Sequence, residues 1–186
     1  MAAHPKSLRG HLLLDGGKLR GSWFHRAVVL ICQHDSEGAF GLVLNRPAGT
    51  QVCEALPGDL PEALKPMPLF IGGPVQPGAL SYLHGDAFLP EGSVMAGLDL
   101  GHSLDQLVDL ASDFTVSRRL LVFAGYAGWS PGQLDDELRR ESWLVHPASS
   151  DLVFAPDPRM LWDRILRSKG GLFRLLADSP EDLSVN

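Results

Sequence analysis

The pentapeptide Gly128-Trp129-Ser130-Pro131-Gly132 fits the Gly-x-Ser-x-Gly pattern that presents a nucleophilic serine on a turn between strand and helix. In such a site the residue after the serine donates its backbone N–H to the developing oxyanion. Here that residue is Pro131, which has no N–H to give. Losing one oxyanion donor costs on the order of 10²–10³ in rate. The same residues read better as a helix start: Ser130 as cap, Pro131 in the first helical position, and Gln133 completing a reciprocal capping box. Asp135 and Asp136 then lie near the positive helix end, one turn before Arg139 and Arg140. No catalytic residue is assigned on this basis. A hydrolase or thiol-redox enzyme using Ser130 or Cys32, with His34 or His84 as base, stands as an alternative.

Cys32 and Cys53 are the two cysteines, and neither belongs to a Cys-x-x-Cys pair, so two free thiols in a reducing compartment are expected. Seven histidines are present without a His-x-His or His-x-x-x-His spacing. Cys32 and His34 share a strand face near Asp35 and Glu37, but a metal site there is the minor reading, and neither metal nor cofactor is assigned. Binding residues are sought instead at strand ends, where loops carry function. Asn45-Arg46-Pro47 follows a buried run, and Pro47 forces Arg46 into an extended conformation. Its guanidinium either clamps a carboxylate or phosphate or pairs with an internal acid. Gly72, Gly73 and Pro74 end another run, and Tyr126 and Trp129 flank Gly128. Asn45, Arg46, Gly72, Gly73, Pro74, Tyr126 and Trp129 are therefore expected to converge on one concave surface that takes a small molecule or a protein.

The formal net charge of −6 argues against a protein whose main task is gripping nucleic-acid phosphates. The basic pairs Arg118-Arg119 and Arg139-Arg140, and the group Arg164, Arg167 and Lys169, read as solvated element ends. No apolar stretch is long enough to cross a bilayer, and Met1 to Gly10 lacks an apolar signal core, so a cytoplasmic protein is expected.

The elements that must position these residues follow from apolar runs and punctuation. Strands are expected at Leu12–Leu14, Arg26–Gln33, Ala39–Leu44, Leu69–Ile71, Leu80–His84, Ser93–Ala96, Arg119–Ala124, Trp143–Val145 and Leu152–Phe154. The short link His34 to Gly38 predicts an antiparallel hairpin, and its two apolar strands predict a central place covered on both faces. Thr50–Leu56 reads as a helical turn ended by Pro57, and Ser103 opens a helix with Gln106 in its capping box. Asp157-Pro158 marks another helix start, Leu161, Trp162, Ile165 and Leu166 supply its apolar side, and Gly170-Gly171 stops it before a last short helix. The block Gly125 to Leu134 is read as the connection between a strand and a helix. Strands in runs with few strict alternations predict an α+β fold, mostly antiparallel or mixed. One domain over 1–186 is expected, with loosely held ends at about 1–9 and 179–186.

Four of these blocks resemble the AlgH/YqgE family of bacterial proteins. They are Phe24-His25-Arg26-Ala27-Val28-Val29, the hairpin from Cys32 to Pro47, Phe70-Ile71-Gly72-Gly73-Pro74-Val75, and Gly125 to Leu138 followed by Ser142-Trp143-Leu144. The resemblance runs from about Gly10 to Leu166. It implies one α+β domain with an irregular, forked sheet flanked by helices, in a cytosolic bacterial protein of a kind labelled a transcriptional regulator without an assigned mechanism. It carries over no catalytic residue and no cofactor. Family members place other residues, glycine among them, at the position of Ser130. Gln33 departs from the family's acid before the histidine, and Asp15-Gly16-Gly17 replaces a more apolar start. The leading expectation is a non-enzymatic regulatory protein that binds a small ligand or a protein partner. Direct control through DNA is the second reading, and the enzyme above the third.

Overall fold

The β2 strand (Val28–Asp35) shows how the sequence builds a two-sided core. Strand side chains alternate between faces. Val28, Leu30 and Cys32 enter one buried cluster, and Ala27, Val29 and Ile31 enter another behind the sheet. The hairpin partner β3 (Gly38–Val43) is antiparallel to β2, and both strands lie inside the sheet, as the apolar runs require. The computed structural model describes residues 7–85, 93–112 and 119–179. Of the ends expected to be loosely held, at about 1–9 and 179–186, residues 1–6 and 180–186 lie outside the described residues, as does Arg118. Leu8, within the N-terminal segment expected to be loose, is fully buried, and its N–H donates to His34 Nδ1 at 3.0 Å.

The remaining strands are β1 (His11–Asp15), β4 (Pro47–Gln51), β5 (Pro68–Ile71), β6 (Val75–Gly85), β7 (Leu98–Gly101), β8 (Arg119–Trp129) and β9 (Trp143–Pro147). The helices are α1 (Val52–Ala55), α2 (Leu104–Ser112), α3 (Gln133–Arg139), α4 (Ser150–Val153), α5 (Leu161–Lys169) and α6 (Gly171–Asp178), with a 3₁₀ turn at Pro158–Met160 before α5. The main sheet runs β4-β5-β8-β3-β2-β1-β9, and β6 with β7 branches from β8. This is an α+β fold with a mixed, forked sheet. The pairing is antiparallel except between β5 and β8.

β8 makes the fork. Its first half pairs with β6 and, in parallel, with β5, while Ala127 to Trp129 pairs with β3. Gly125 sits at the changeover with φ of +72°, a left-handed conformation that glycine adopts without a Cβ penalty. Gly73 closes the fork from the other side: a Cβ there would lie 2.0 Å from the Tyr126 carbonyl carbon. Gly72 stitches the branches, its N–H donating to the Ala124 carbonyl at 2.9 Å and its own carbonyl accepting from Val43 N–H at 2.8 Å.

Three expectations are corrected. Gly125 to Trp129 is strand rather than connection, because its glycines serve a change of strand partner. Leu152–Phe154 belongs to α4 and its C-terminal cap, since Ser149 Oγ accepts from Leu152 N–H at 3.3 Å and starts a helical turn. Ser93–Ala96 holds a single bridge, Met95 to Leu98, and the strand begins at Leu98. The helix after Asp157-Pro158 does bury Leu161, Trp162, Ile165 and Leu166. Each such side chain removed from water contributes about 1.5–3 kcal/mol.

Candidate functional site

Asp15 ends β1 with its carboxylate fully buried. Oδ1 accepts from the backbone N–H of Gly17 at 2.8 Å and Leu19 at 3.1 Å, and Oδ2 accepts from Arg26 N–H at 2.8 Å. Its carbonyl accepts the Trp162 indole N–H at 3.0 Å. One residue thereby ties β1, the 16–26 loop and α5 together. Arg26 is held at φ of +54°, a conformation costing about 1–3 kcal/mol that persists where the surroundings impose it. Asn45 fixes the same strand entry: its amide oxygen accepts from Val28 N–H at 2.9 Å and its amide nitrogen donates to the Arg26 carbonyl at 2.8 Å.

These contacts open a cleft of about 390 Å³ between the strand ends and the C-terminal helices. His25, Arg26, Asn45 and Arg46 line one wall, and Arg159, Trp162 and Asp163 line the other. Arg46 stacks its guanidinium 4.1 Å above the Trp23 ring and donates from Nη2 to the His25 carbonyl at 3.0 Å. Neither Arg46 nor Arg159 has a carboxylate partner among the described residues. Burial lowers the Arg46 pKa from its ordinary value, yet a guanidinium stays charged at neutral pH. Its positive charge is therefore half-buried without a counter-ion among the described residues. Arg26 stacks 4.9 Å from the Trp162 ring and donates from Nη2 to the Ser179 carbonyl. Neither ring nitrogen of His25 completes a hydrogen bond among the described residues, although Nδ1 lies 3.4 Å from Asp15 Oδ2.

The seven residues expected to converge separate into groups. Asn45 and Arg46 line the cleft. Gly72 and Gly73 are buried in the fork and Pro74 is exposed beside it. Tyr126 stacks on Phe40 at 4.9 Å beside one core cluster, whereas Trp129 belongs to the cluster on the other face. Residues three apart on a strand must point to opposite faces. Trp129 and Trp143 both donate their indole N–H to Glu137 Oε2, at 2.9 and 2.7 Å. That pairing makes Trp129 part of a packed aromatic cluster with Phe24 and Trp143. Around the cleft, the residues given no binding role in the sequence are Asp15, buried behind the lining, and the lining residues His25, Arg26, Arg159 and Trp162. The Asp-Gly-Gly turn and the Phe24-His25-Arg26 motif were the local signals for the first three; Arg159 had none, and Trp162 showed only as part of the apolar side of its helix.

The nucleophile candidates are engaged elsewhere. Ser130 Oγ donates to Gln133 Oε1 at 3.2 Å and its N–H donates to the same oxygen at 3.1 Å. Only this half of the expected capping box forms, because Pro131 and Gly132 make a turn and α3 begins at Gln133, after Gly132 at φ of +74°. Asp136 pairs with Arg139, while Asp135 lies 4.0 Å from His34 Nε2 instead of joining it. Both cysteines are free, Cys32 is buried, and desolvation drives its thiol pKa far above the ordinary value, opposing thiolate chemistry. A larger depression of about 730 Å³ touches Ser7, Arg9, His34 and Asp35. Several of its polar groups already serve the fold: Ser7 Oγ donates to the His34 carbonyl, Arg9 to the Ser93 carbonyl, and Asp35 Oδ1 accepts from Glu37 N–H.

Comparison with known proteins places this architecture. The AlgH-like family profile matches residues 12–174. A UPF0301 protein of Chlorobaculum parvum is 40% identical over 177 residues, covering 92% of each chain. One from Streptomyces avermitilis is 39% identical over 188 residues, covering 97% of this chain and 96% of its own. The solution structure of AlgH from Pseudomonas aeruginosa superposes with a TM-score of 0.72 at 28% identity, covering 97% of this chain and 98% of that one. A crystal structure from Corynebacterium diphtheriae gives 0.76 at 26% identity, covering 95% and 94%.

Proposed function

The chain belongs to the AlgH-like family, and from that premise we propose that it is a non-enzymatic cytosolic regulatory protein whose cleft at Arg46 binds a small ligand. The observation that carries this reading is the half-buried Arg46 guanidinium, oriented on Trp23 and lacking a counter-ion among the described residues, in the wall of a cavity of ligand size. Supporting it, the serine in the hydrolase-like motif is bonded to Gln133 and is followed by a proline, and the buried cysteine is poorly disposed to ionise. Two free thiols fit a reducing compartment. No helix among the described residues is long and apolar enough to cross a membrane.

Native mass spectrometry of the protein purified from its source cells tests this reading. A small molecule should co-purify with the wild type and be lost from both Arg46→Gln and Arg159→Gln. Arg159 is exposed and makes no side-chain hydrogen bond or ion pair among the described residues, so its variant separates binding from folding. Wild-type protein that carries nothing, or a ligand retained equally by both variants, overturns the assignment.

A further inference from the structure

We infer that the ligand of this cleft is an anion, bearing a carboxylate or a phosphate that Arg46 and Arg159 grip together. The inference rests on the cleft being a ligand site and adds what chemistry it selects.

Three arginines meet around one cavity in a chain whose acids outnumber its bases, 22 to 16. The acid in the same lining, Asp163, is already bonded to Arg167 Nε at 3.0 Å on the same helix. Among the described lining residues, arginines therefore outnumber the one carboxylate, and that carboxylate is already engaged. Of the arginines, Arg26 is committed to the Ser179 carbonyl and to the Trp162 face, and so builds the wall. Arg46 uses one hydrogen bond, to the His25 carbonyl. A guanidinium has five N–H donors in a planar fork, and this leaves an edge for bidentate contact with two oxygens of an anion. Stacking on Trp23 fixes that plane beforehand, which lowers the ordering cost of binding. Arg159, across the cleft and exposed, closes on the second side of the same charge. A half-buried cation without a counter-ion is held at an electrostatic cost, and an anion entering the cleft relieves it.

The probes are inorganic phosphate and succinate, each titrated against chloride at constant ionic strength so that general screening cancels. The readout is the indole N–H resonances of Trp23 and Trp162. At least one of the two anions should shift them to saturation, and which one does so identifies phosphate or carboxylate as the preferred group. Arg46→Gln and Arg159→Gln should each weaken binding by about tenfold or more, the scale of a charge-assisted contact. Arg119→Gln, which alters an arginine paired with Asp151 away from the cleft, should leave binding unchanged. Neither anion exceeding chloride, or Arg159→Gln binding like the wild type, overturns the inference. A neutral or cationic co-purified molecule that shifts the same resonances sinks the anion assignment and leaves the ligand-binding reading standing. Saturating anion shifts with nothing co-purified leave the anion selectivity of the cleft standing and sink the claim that a ligand occupies it in the source cells.

Discussion

Replacing Asp15 by Asn probes the construction of the cleft with almost no change of shape. The carboxylate is fully buried and accepts three backbone N–H groups, from Gly17 and Leu19 on Oδ1 and from Arg26 on Oδ2. An amide has one acceptor oxygen and one donor nitrogen. With its oxygen in the Oδ1 place it keeps two bonds and turns N–H groups toward the Arg26 N–H. A buried donor left unmade costs about 1–3 kcal/mol. At about 2–4 °C per kcal/mol for a chain of this length, the midpoint of thermal unfolding should fall by about 2–12 °C. The loss should be local first. Arg26 at φ of +54° depends on that bond, so amide exchange of residues in the 16–26 loop should speed up more than exchange in β2 and β3. Thermal denaturation with hydrogen exchange on the same sample measures both. An unfolding midpoint unchanged from wild type, with the loop as protected as before, would refute the claim that this carboxylate holds the cleft wall.

Other substitutions address the rest of the framework. Glu137→Ala should destabilise by about 2 kcal/mol or more by orphaning the Trp129 and Trp143 indole donors, while Glu137→Gln, which keeps an acceptor, should cost much less in a denaturant titration. Gly73→Ala should cost about 3 kcal/mol or more, read by the same titration, because its Cβ has only the Tyr126 backbone to meet. Ser130→Ala should change stability by less than about 0.5 kcal/mol, since the Gln133 side chain still reaches the residue-130 N–H and the hydroxyl caps nothing.

The β2–β3 hairpin was legible because two apolar runs joined by a short link ending in Gly38 permit little else. The α5 helix was legible because a Pro start, a four-residue apolar spacing and a glycine stop agree. The block Gly125 to Trp129 misled because glycine normally punctuates, whereas here it lets one strand serve two branches. Leu152–Phe154 misled because a short apolar run has no period of its own, and the cue lay in Ser149 before it. Within the site, Asn45 and Arg46 could be found from their place at a strand end. Asp15 stood out in the sequence only as a departure from the family, although its Asp-Gly-Gly signature suits a carboxylate folding back on its own loop. Arg159 and Trp162 lie over a hundred residues from Arg46. Only the packing of α5 against the end of β1 brings them there.

The four tryptophans give the most direct test of the central claim. Trp23 and Trp162 stack beneath the cleft arginines, whereas Trp129 and Trp143 are tied to Glu137. A ¹H–¹⁵N spectrum of the four indole groups, recorded as the co-purified ligand is added back to stripped protein, reads both sites at once. The account predicts that the Trp23 and Trp162 resonances move to saturation well ahead of the other pair. Saturable movement confined to Trp129 and Trp143 would contradict it.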